Sequence, residues 1–404
     1  MIGFFSKYKP LEFKLQILTK HKICFMNHKC MGQFFIYLFI LLSSNSCRKE
    51  NPIKIKGETK FREYLIDEME IQEIPAMSVL IFESEEIKFE GYFGKSSIEQ
   101  DVALQADHLF LLASISKTVT AVALLNLFDR DSFELDDKIN DYLSFDVDIP
   151  NYSKEITFRM LLTHTSGIAD GQALDNQYYY EMDSPVALGY FLENYLKVGG
   201  QFYNATENFH DFEPGSEHEY TNSGNALMGL LVEEISGQSF IDYCKQNIFI
   251  PLGMTNTFWR LDEINQIIVQ PYDFGNSGNN EAIAHYTFTD YPNGGLRSNA
   301  RDMFIFLSSV AQKGIYKGVR ILKESTASQI ISPQIPDLDE NVGLHFFKMN
   351  KQYNLWGHDG GEQGVATIMA FNPGNKTGAL IFTNQGDASL ETILREAYKL
   401  GLTL

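Results

Sequence analysis

Three short clusters carry the residue types that acyl-transfer chemistry needs: Ser114-Ile115-Ser116-Lys117, Tyr220-Thr221-Asn222 and His358-Asp359-Gly360-Gly361. In the first, a hydroxyl and an amine stand three residues apart, which on a helix puts both on one face about one turn apart. A serine hydroxyl is a poor nucleophile at neutral pH and needs a base beside it. Lys117 can be that base if burial or nearby positive charge lowers its pKa. The Tyr220 phenol, with a reference pKa near 10, is a candidate second proton carrier, either as a phenolate or as a relay in concert. Asn222 can hydrogen-bond the amide or acyl side chain of a substrate. His358 can donate a hydrogen bond toward Tyr220 or the substrate, and its charge is expected to vary near neutral pH. The glycines after it let the backbone approach a ligand closely.

Chance matches set the weight of each cluster. Ser-x-x-Lys occurs at Ser6, Ser46 and Ser114, but the first two fall in an N-terminal segment with the character of an export signal. Tyr-x-Asn occurs at Tyr220 and Tyr291, and the second, Tyr291-Pro292-Asn293 before Gly294-Gly295, is a turn signature and reads as structural. His-x-Gly occurs once, at His358. Blander roles compete with the chemical ones. Ser114 could simply cap a helix, and Tyr220 and Asn222 could form a polar turn. Lys117 is harder to dismiss, because Val119, Ala121, Val122, Ala123, Leu124 and Leu125 describe a helix apolar nearly all round, where a lysine needs a functional reason.

The elements that must bring these clusters together lie at both ends of the chain. An amphipathic pattern predicts a helix over 61–74, and apolar runs predict strands over 77–82 and 87–93. Near the other end, 343–349, 365–371 and 378–382 read as three further strands and 390–400 as a closing helix. Five strands split between distant segments imply one antiparallel sheet flanked by helices. Residues 117–290 read as mostly helical and inserted between the halves, with an apolar-periodic run from Asn225 to Ser236 closed by Gly237. The expected partition is 1–46 export signal, 47–60 polar linker, and 61–404 one hydrolase-like domain whose sheet part is 61–116 with 291–404. Pockets form at such junctions, and His358 falls on an expected edge strand there.

The order and flanks of these motifs resemble the serine β-lactamase and penicillin-binding superfamily, in the branch of class C β-lactamases, D-Ala-D-Ala carboxypeptidases and related esterases. The resemblance covers roughly residues 60 to 400 and extends to Leu161-Leu162-Thr163-His164-Thr165-Ser166-Gly167, Pro251-Leu252-Gly253-Met254 and Gly294-Gly295-Leu296-Arg297-Ser298. The usual pattern is Ser-x-x-Lys, Ser-Asp-Asn and Lys-Thr-Gly; here a tyrosine and a histidine replace the second serine and second lysine. It implies an α+β, β-lactamase/transpeptidase-like fold, a covalent acyl-enzyme on Ser114, and an oxyanion hole from the backbone N–H groups of Ser114 and Gly361. It implies no cofactor and no metal, and a small-molecule or peptide substrate. Asp359 departs from the threonine that helps hold a substrate carboxylate. At about 4 Å and an effective dielectric near 20, two like charges cost on the order of 4 kcal/mol, about a thousandfold in affinity. An uncharged or amine-bearing ester or amide is therefore expected over a penicillin or a cell-wall stem peptide. His164 is expected to pack a loop, and Arg297 with Asp302 to form a structural ion pair.

Composition excludes other classes. The formal charge is −19, and the first 46 residues hold six lysines against one glutamate, leaving −24 on the other 358. Such a surface repels phosphate backbones and argues against a nucleic-acid partner. Cysteines stand at 24, 30, 47 and 244, so Cys244 alone lies in the body of the chain and reads as a core residue. Residues 34–42 are nine consecutive apolar positions, too few for the roughly 20 a bilayer span needs but suited to a signal-peptide core. The small residues leading to Cys47 resemble a lipoprotein processing site, with Ser44 a departure from it and Met26 or Met31 as candidate starts. Export to the cell envelope, periplasmic and held by a lipid on Cys47, is the expected localisation. No Gly-x-Ser-x-Gly elbow or His-Glu-x-x-His motif occurs, which leaves a non-catalytic binding or sensor protein on the same fold as the remaining rival.

Overall fold

The computed structural model describes residues 55–275 and 278–404. Its frame is a sheet between two helical layers. The N-terminal helix α1 (Glu58–Ile71) leads into strands β1 (Ala76–Glu83), β2 (Glu86–Ser97) and β3 (Val102–Ala103). The buried helix α2 (Ser116–Phe128) and helix α3 (Asn222–Ser236) follow. The chain then returns to the sheet through β4 (Phe347–Asn350), β5 (Leu355–Glu362), β6 (Val365–Phe371) and β7 (Thr377–Thr383), and closes on helix α4 (Glu391–Gly401). Strand order is β4-β5-β6-β7-β1-β2-β3, antiparallel throughout. The two ends of the chain meet where β1 pairs β7, with Val79 opposite Ile381.

Both faces of the central strands are buried, which explains their uninterrupted apolar sequences. Met77, Val79 and Ile81 on β1 join Ile368, Ala370, Ala379 and Ile381 in a core shared with Phe61 and Leu65 of α1 and with Ile393, Leu394 and Ala397 of α4. The alternate residues Leu80, Phe82, Met369, Phe371, Leu380 and Phe382 face the opposite way into a larger core with Val119, Val122 and Leu124 of α2 and Leu227 of α3. Period-two alternation thus divides β1, β6 and β7 between two cores.

The α+β class and the joining of the chain ends hold; the strand count does not. The sheet has seven strands rather than five, because β3 is a two-residue edge and β5 lacked any apolar alternation. β5 reads Leu-Trp-Gly-His-Asp-Gly-Gly-Glu, so its strand character comes from pairing with β6, not from side-chain propensity. The strand expected over 343–349 shrinks to Phe347–Asn350, since Gly343 to Phe346 form a turn closed by the Gly343 N–H to Phe346 carbonyl bond. Arg297 and Asp302 do not pair. The strand-to-helix corner at Asn299 sends them to different partners: Arg297 donates to the carbonyls of Gly295 and Tyr286, while Asp302 accepts from Asn256 N–H and Thr257 Oγ1. Cys244 is buried as expected. The export segment and Cys47 lie outside the described residues. Among the described residues no helix is long and apolar enough to cross a membrane.

Candidate active site

Ser114 sits in a single 3₁₀ turn, Ala113–Ile115, that runs straight into α2. Its hydroxyl does not cap the helix; α2 begins with no side-chain cap at all. Ala113, immediately before it, holds φ +49°, a left-handed conformation costly for a residue with a side chain. Every residue from Ser116 to Leu127 is buried, because α2 is wrapped by the sheet and by α3. Lys117 is carried into that interior and is fully buried.

The Lys117 ammonium nitrogen stands 3.0 Å from Ser114 Oγ, 2.8 Å from Asn222 Oδ1 and 2.8 Å from the Asn293 carbonyl. Burial lowers its pKa to about 7, against the opposing pull of Asp170 and then Asp290, Glu362 and Asp359. Desolvation, not a neighbouring cation, is therefore what prepares this amine. A neutral amine has two N–H bonds and one lone pair. With Asn222 Oδ1 and the Asn293 carbonyl able only to accept, the lone pair is left for the Ser114 hydroxyl.

Tyr220 precedes α3, whose first turn is capped by Thr221 Oγ1 accepting from Gly224 N–H. Asp170 anchors this turn: its carboxylate accepts from the backbone N–H groups of Asn222 and Ser223 and from the hydroxyls of Thr221 and Ser223. An anion at a helix N-terminus is well placed electrostatically, and here it fixes Asn222 toward Lys117. The Tyr220 ring lies 4.9 Å from the Lys117 nitrogen. Although 43% of Tyr220 is accessible, desolvation in the cleft raises its phenol above the ordinary tyrosine value, opposed by a hydrogen bond with Ser114. Of the two options for Tyr220, the neutral, proton-donating phenol is the one this environment favours.

β5 forms the facing wall. Its outer neighbour β4 pairs only with Leu355, Trp356 and Gly357, so from His358 onward that edge has no strand partner among the described residues and meets the Ser114 turn. Gly360 makes the approach possible: a Cβ there would come within 2.5 Å of Thr367 Oγ1, 2.6 Å of the Leu112 carbonyl and 2.9 Å of the Ser114 amide nitrogen. A Cβ on Gly361 would meet nothing within 4 Å.

Two sequence expectations for this wall change. His358 is 2% exposed, and its Nδ1 donates to the Asp359 carbonyl, which leaves Nε2 as an acceptor. Burial holds its pKa well below the usual histidine range, partly offset by Asp359. It is a neutral acceptor at neutral pH rather than a donor of variable charge. Asp359 does border the cleft, but its side chain is 69% exposed. Solvent screening brings the repulsion of a substrate carboxylate down to about 1 kcal/mol.

Ser114, Tyr220, Phe347, His358, Asp359, Gly360 and Gly361 line a cleft of about 360 Å³. A second hollow of about 110 Å³ is bordered by Asp170, Asp175, Asp290, Glu362 and the two residues that accept from Lys117, Asn222 and Asn293. Asp290 is buried, and desolvation raises its carboxyl to about 7. Among the described residues no group of three or more His, Cys, Asp or Glu is arranged to hold a metal ion.

Ser114, Tyr220, His358, Asp359, Gly360 and Gly361 thus line one cleft, while Lys117 is buried against Ser114 and Asn222 borders the second hollow. Sequence reasoning missed Asp170, which has no motif spacing to Tyr220. It also missed Asn293, whose contribution is a backbone carbonyl that any residue type supplies. The Tyr291-Pro292-Asn293 turn is structural, as expected, yet it hands Lys117 one of its three partners.

A seven-stranded antiparallel sheet, a buried Ser-x-x-Lys helix and a Tyr-x-Asn turn facing a His-x-Gly strand define a β-lactamase/transpeptidase-like protein. The chain belongs to the Beta-lactamase family, whose model matches residues 61–401. Penicillin-binding protein 4* of Bacillus subtilis (strain 168) is 25% identical over 308 residues, which are 72% of this chain and 64% of that protein, so the chain spans about 64% of the length of this relative. The octameric penicillin-binding protein homologue from Pyrococcus abyssi superposes with a TM-score of 0.68 at 20% identity over 85% of this chain and 77% of its own. EstCE1, described as a hydrolase with promiscuous acyltransferase activity, gives 0.64 at 16% over 84% and 97%. These two likenesses establish the fold.

Proposed function

We propose that this protein is a serine hydrolase that cleaves an ester or amide through an acyl-enzyme on Ser114. The observation that carries the reading is a fully buried amine 3.0 Å from the hydroxyl it would activate, in surroundings whose desolvation lowers its pKa to about 7. Neutral Lys117 takes the Ser114 proton as Oγ bonds to the acyl carbon. The carbonyl oxygen becomes an oxyanion held by the backbone N–H groups of Ser114 and Gly361, each such donor being worth about 3 kcal/mol. Collapse breaks the bond to the leaving group, which receives a proton from the Tyr220 phenol while Lys117 returns one to Tyr220. Water then attacks the acyl carbon with the same groups in reverse, freeing the acid and Ser114. Asn222 hydrogen-bonds the acyl portion.

The acidic surroundings favour a neutral or amine-bearing substrate over a carboxylate-bearing one. Asp359 borders the cleft, and Asp170, Asp290 and Glu362 border the neighbouring hollow. Cleavage of a β-lactam or a D-Ala-D-Ala peptide is the second reading, favoured by the likeness to penicillin-binding proteins. Mass spectrometry after treatment with a fluorophosphonate probe tests the first claim: an adduct on Ser114, absent from Ser114→Ala, is expected, and an unlabelled Ser114 in folded protein overturns it. A panel of p-nitrophenyl ester, D-amino-acid amide, nitrocefin and D-Ala-D-Ala peptide ranks the substrates. We further propose that residues 1–46 direct export to the cell envelope and that Cys47 is lipidated; loss of metabolic lipid labelling in Cys47→Ser tests this.

A further inference from the structure

We propose that His164 is a positioning residue for Tyr220, clamping it from three sides so that its phenol can pass a proton to the leaving group. The inference rests on the serine-hydrolase reading and adds a residue that the sequence motifs assigned only to loop packing. His164 grips both chain neighbours of Tyr220. Its carbonyl accepts the Glu219 N–H at 2.9 Å, and its Nδ1 accepts the Thr221 N–H at 3.2 Å. Its imidazole also stacks on the Tyr220 ring, with centroids 4.5 Å apart and planes inclined by 28°. On the other face it is backed by His345 at 4.4 Å and 19°, whose own Nδ1 donates to the Leu162 carbonyl. Phe347 closes the group, 6.0 Å from His164 and 5.2 Å from His358.

The arrangement costs more than packing alone would require. His164 and His345 both hold positive φ, +54° and +58°, in a region sparsely used by residues with side chains. With Nδ1 accepting, the His164 proton must sit on Nε2, and that buried group has no partner. A phenylalanine would stack equally well without a desolvated N–H. What the imidazole adds is the acceptor for Thr221, and thereby control of the segment that carries Tyr220 and Asn222.

Two substitutions separate the ring from the acceptor. His164→Asn keeps an acceptor near the Nδ1 position and tolerates the left-handed backbone, but removes the stacked ring; His164→Phe keeps the ring and removes the acceptor. Both variants are compared with the unmodified protein on two esters of the same acid, one releasing p-nitrophenol and one releasing ethanol, which needs a proton donor. The expected result is a kcat/KM loss at least about tenfold greater on the ethyl ester, general acid catalysis typically being worth 10²–10⁴-fold, with the rate of Ser114 phosphonylation little changed. Equal losses on both esters overturn the proposal. A second measurement works without turnover: with 3-fluorotyrosine at position 220, His164→Asn should move the ¹⁹F resonance, and an unmoved resonance also overturns it. If Ser114 of the unmodified protein takes no phosphonate, the hydrolase reading fails, while the fluorine resonance still decides whether His164 holds Tyr220.

Discussion

The two walls of the cleft reach the same place by opposite means. α2 carries Lys117 and the turn entering it carries Ser114, and with every residue from Ser116 to Leu127 buried, the chemistry there is set by desolvation of a side chain. β5 brings Gly360 and Gly361 on a strand edge, where the backbone does the approaching and side chains are absent or turned aside. Burial tunes an amine; bareness admits a carbonyl. Substitutions on α2 should therefore change proton affinity, whereas substitutions on β5 should change distance.

The largest effect falls on the buried amine. Lys117→Met keeps the length and apolar stem while removing the base, and kcat/KM should drop at least about a thousandfold, within the range for lost general-base catalysis, with little loss of Tm. In the unmodified protein kcat/KM should rise with pH through an acidic limb near pH 7, as Lys117 gives up its proton; Asp290→Asn, by removing a charge that raises this pKa, should move the limb to lower pH. A limb near pH 10 would show that α2 does not desolvate Lys117.

Next in size, Gly360→Ala should both weaken folding and cut activity, because its Cβ overlaps Thr367 Oγ1, the Leu112 carbonyl and the Ser114 amide. A drop in Tm of about 1–3 °C is expected for a clash costing about a kcal/mol or two. Gly361→Ala, facing open space, should leave Tm unchanged, and equal Tm values for the pair would erase the contrast between the two walls.

Acid stability sharpens the comparison further. His164, His345 and His358 are all held neutral by burial, His345 with its pKa lowered to about 3. Between the unfolded value near 6.5 and the folded value, the unfolded chain binds the extra proton, so these residues remove stability as pH falls through that window. Asp290 acts in the opposite sense. Its folded pKa of about 7 lies above the unfolded 3.8, so its protonated form is favoured in the folded state and stability is gained as pH falls from 7 toward 4. Asp290→Asn should therefore make the acid-induced fall in Tm between pH 7 and 5 steeper than in the unmodified protein. The smallest effect is expected at the exposed Asp359. Asp359→Thr should improve KM for a carboxylate-bearing substrate by no more than about tenfold, since solvent screens most of the repulsion.

The sequence made much of the frame legible. β1, β6 and β7 were visible because apolar runs bounded by turns survive in strands buried on both faces, β2 because its apolar residues recur in a half-exposed strand, and α3 ended at Gly237 because a left-handed cap was needed there. β5 was recognisable as a place for His358 but not as a full strand, since three glycines and a histidine carry no β-propensity. Asp170 and the Asn293 carbonyl were invisible for a related reason: one meets Tyr220 only through a helix cap, the other uses an atom common to all residues. The Arg297–Asp302 expectation failed because proximity in sequence does not survive a change of direction at a strand-to-helix corner.

By itself the sequence determined which groups are available: a hydroxyl and an amine one helical turn apart, a phenol, an imidazole and glycines where close approach is needed. Local spacing decides these, and local spacing is written in the chain. Only the tertiary structure decided their state. The near-neutral Lys117, the proton kept on Tyr220, the accepting tautomer of His358 and the clamp of His164 all depend on how much water the surrounding layers exclude and which partners they leave. Desolvation and hydrogen-bond partnership are sums over residues brought together from distant segments, and no stretch of sequence contains them.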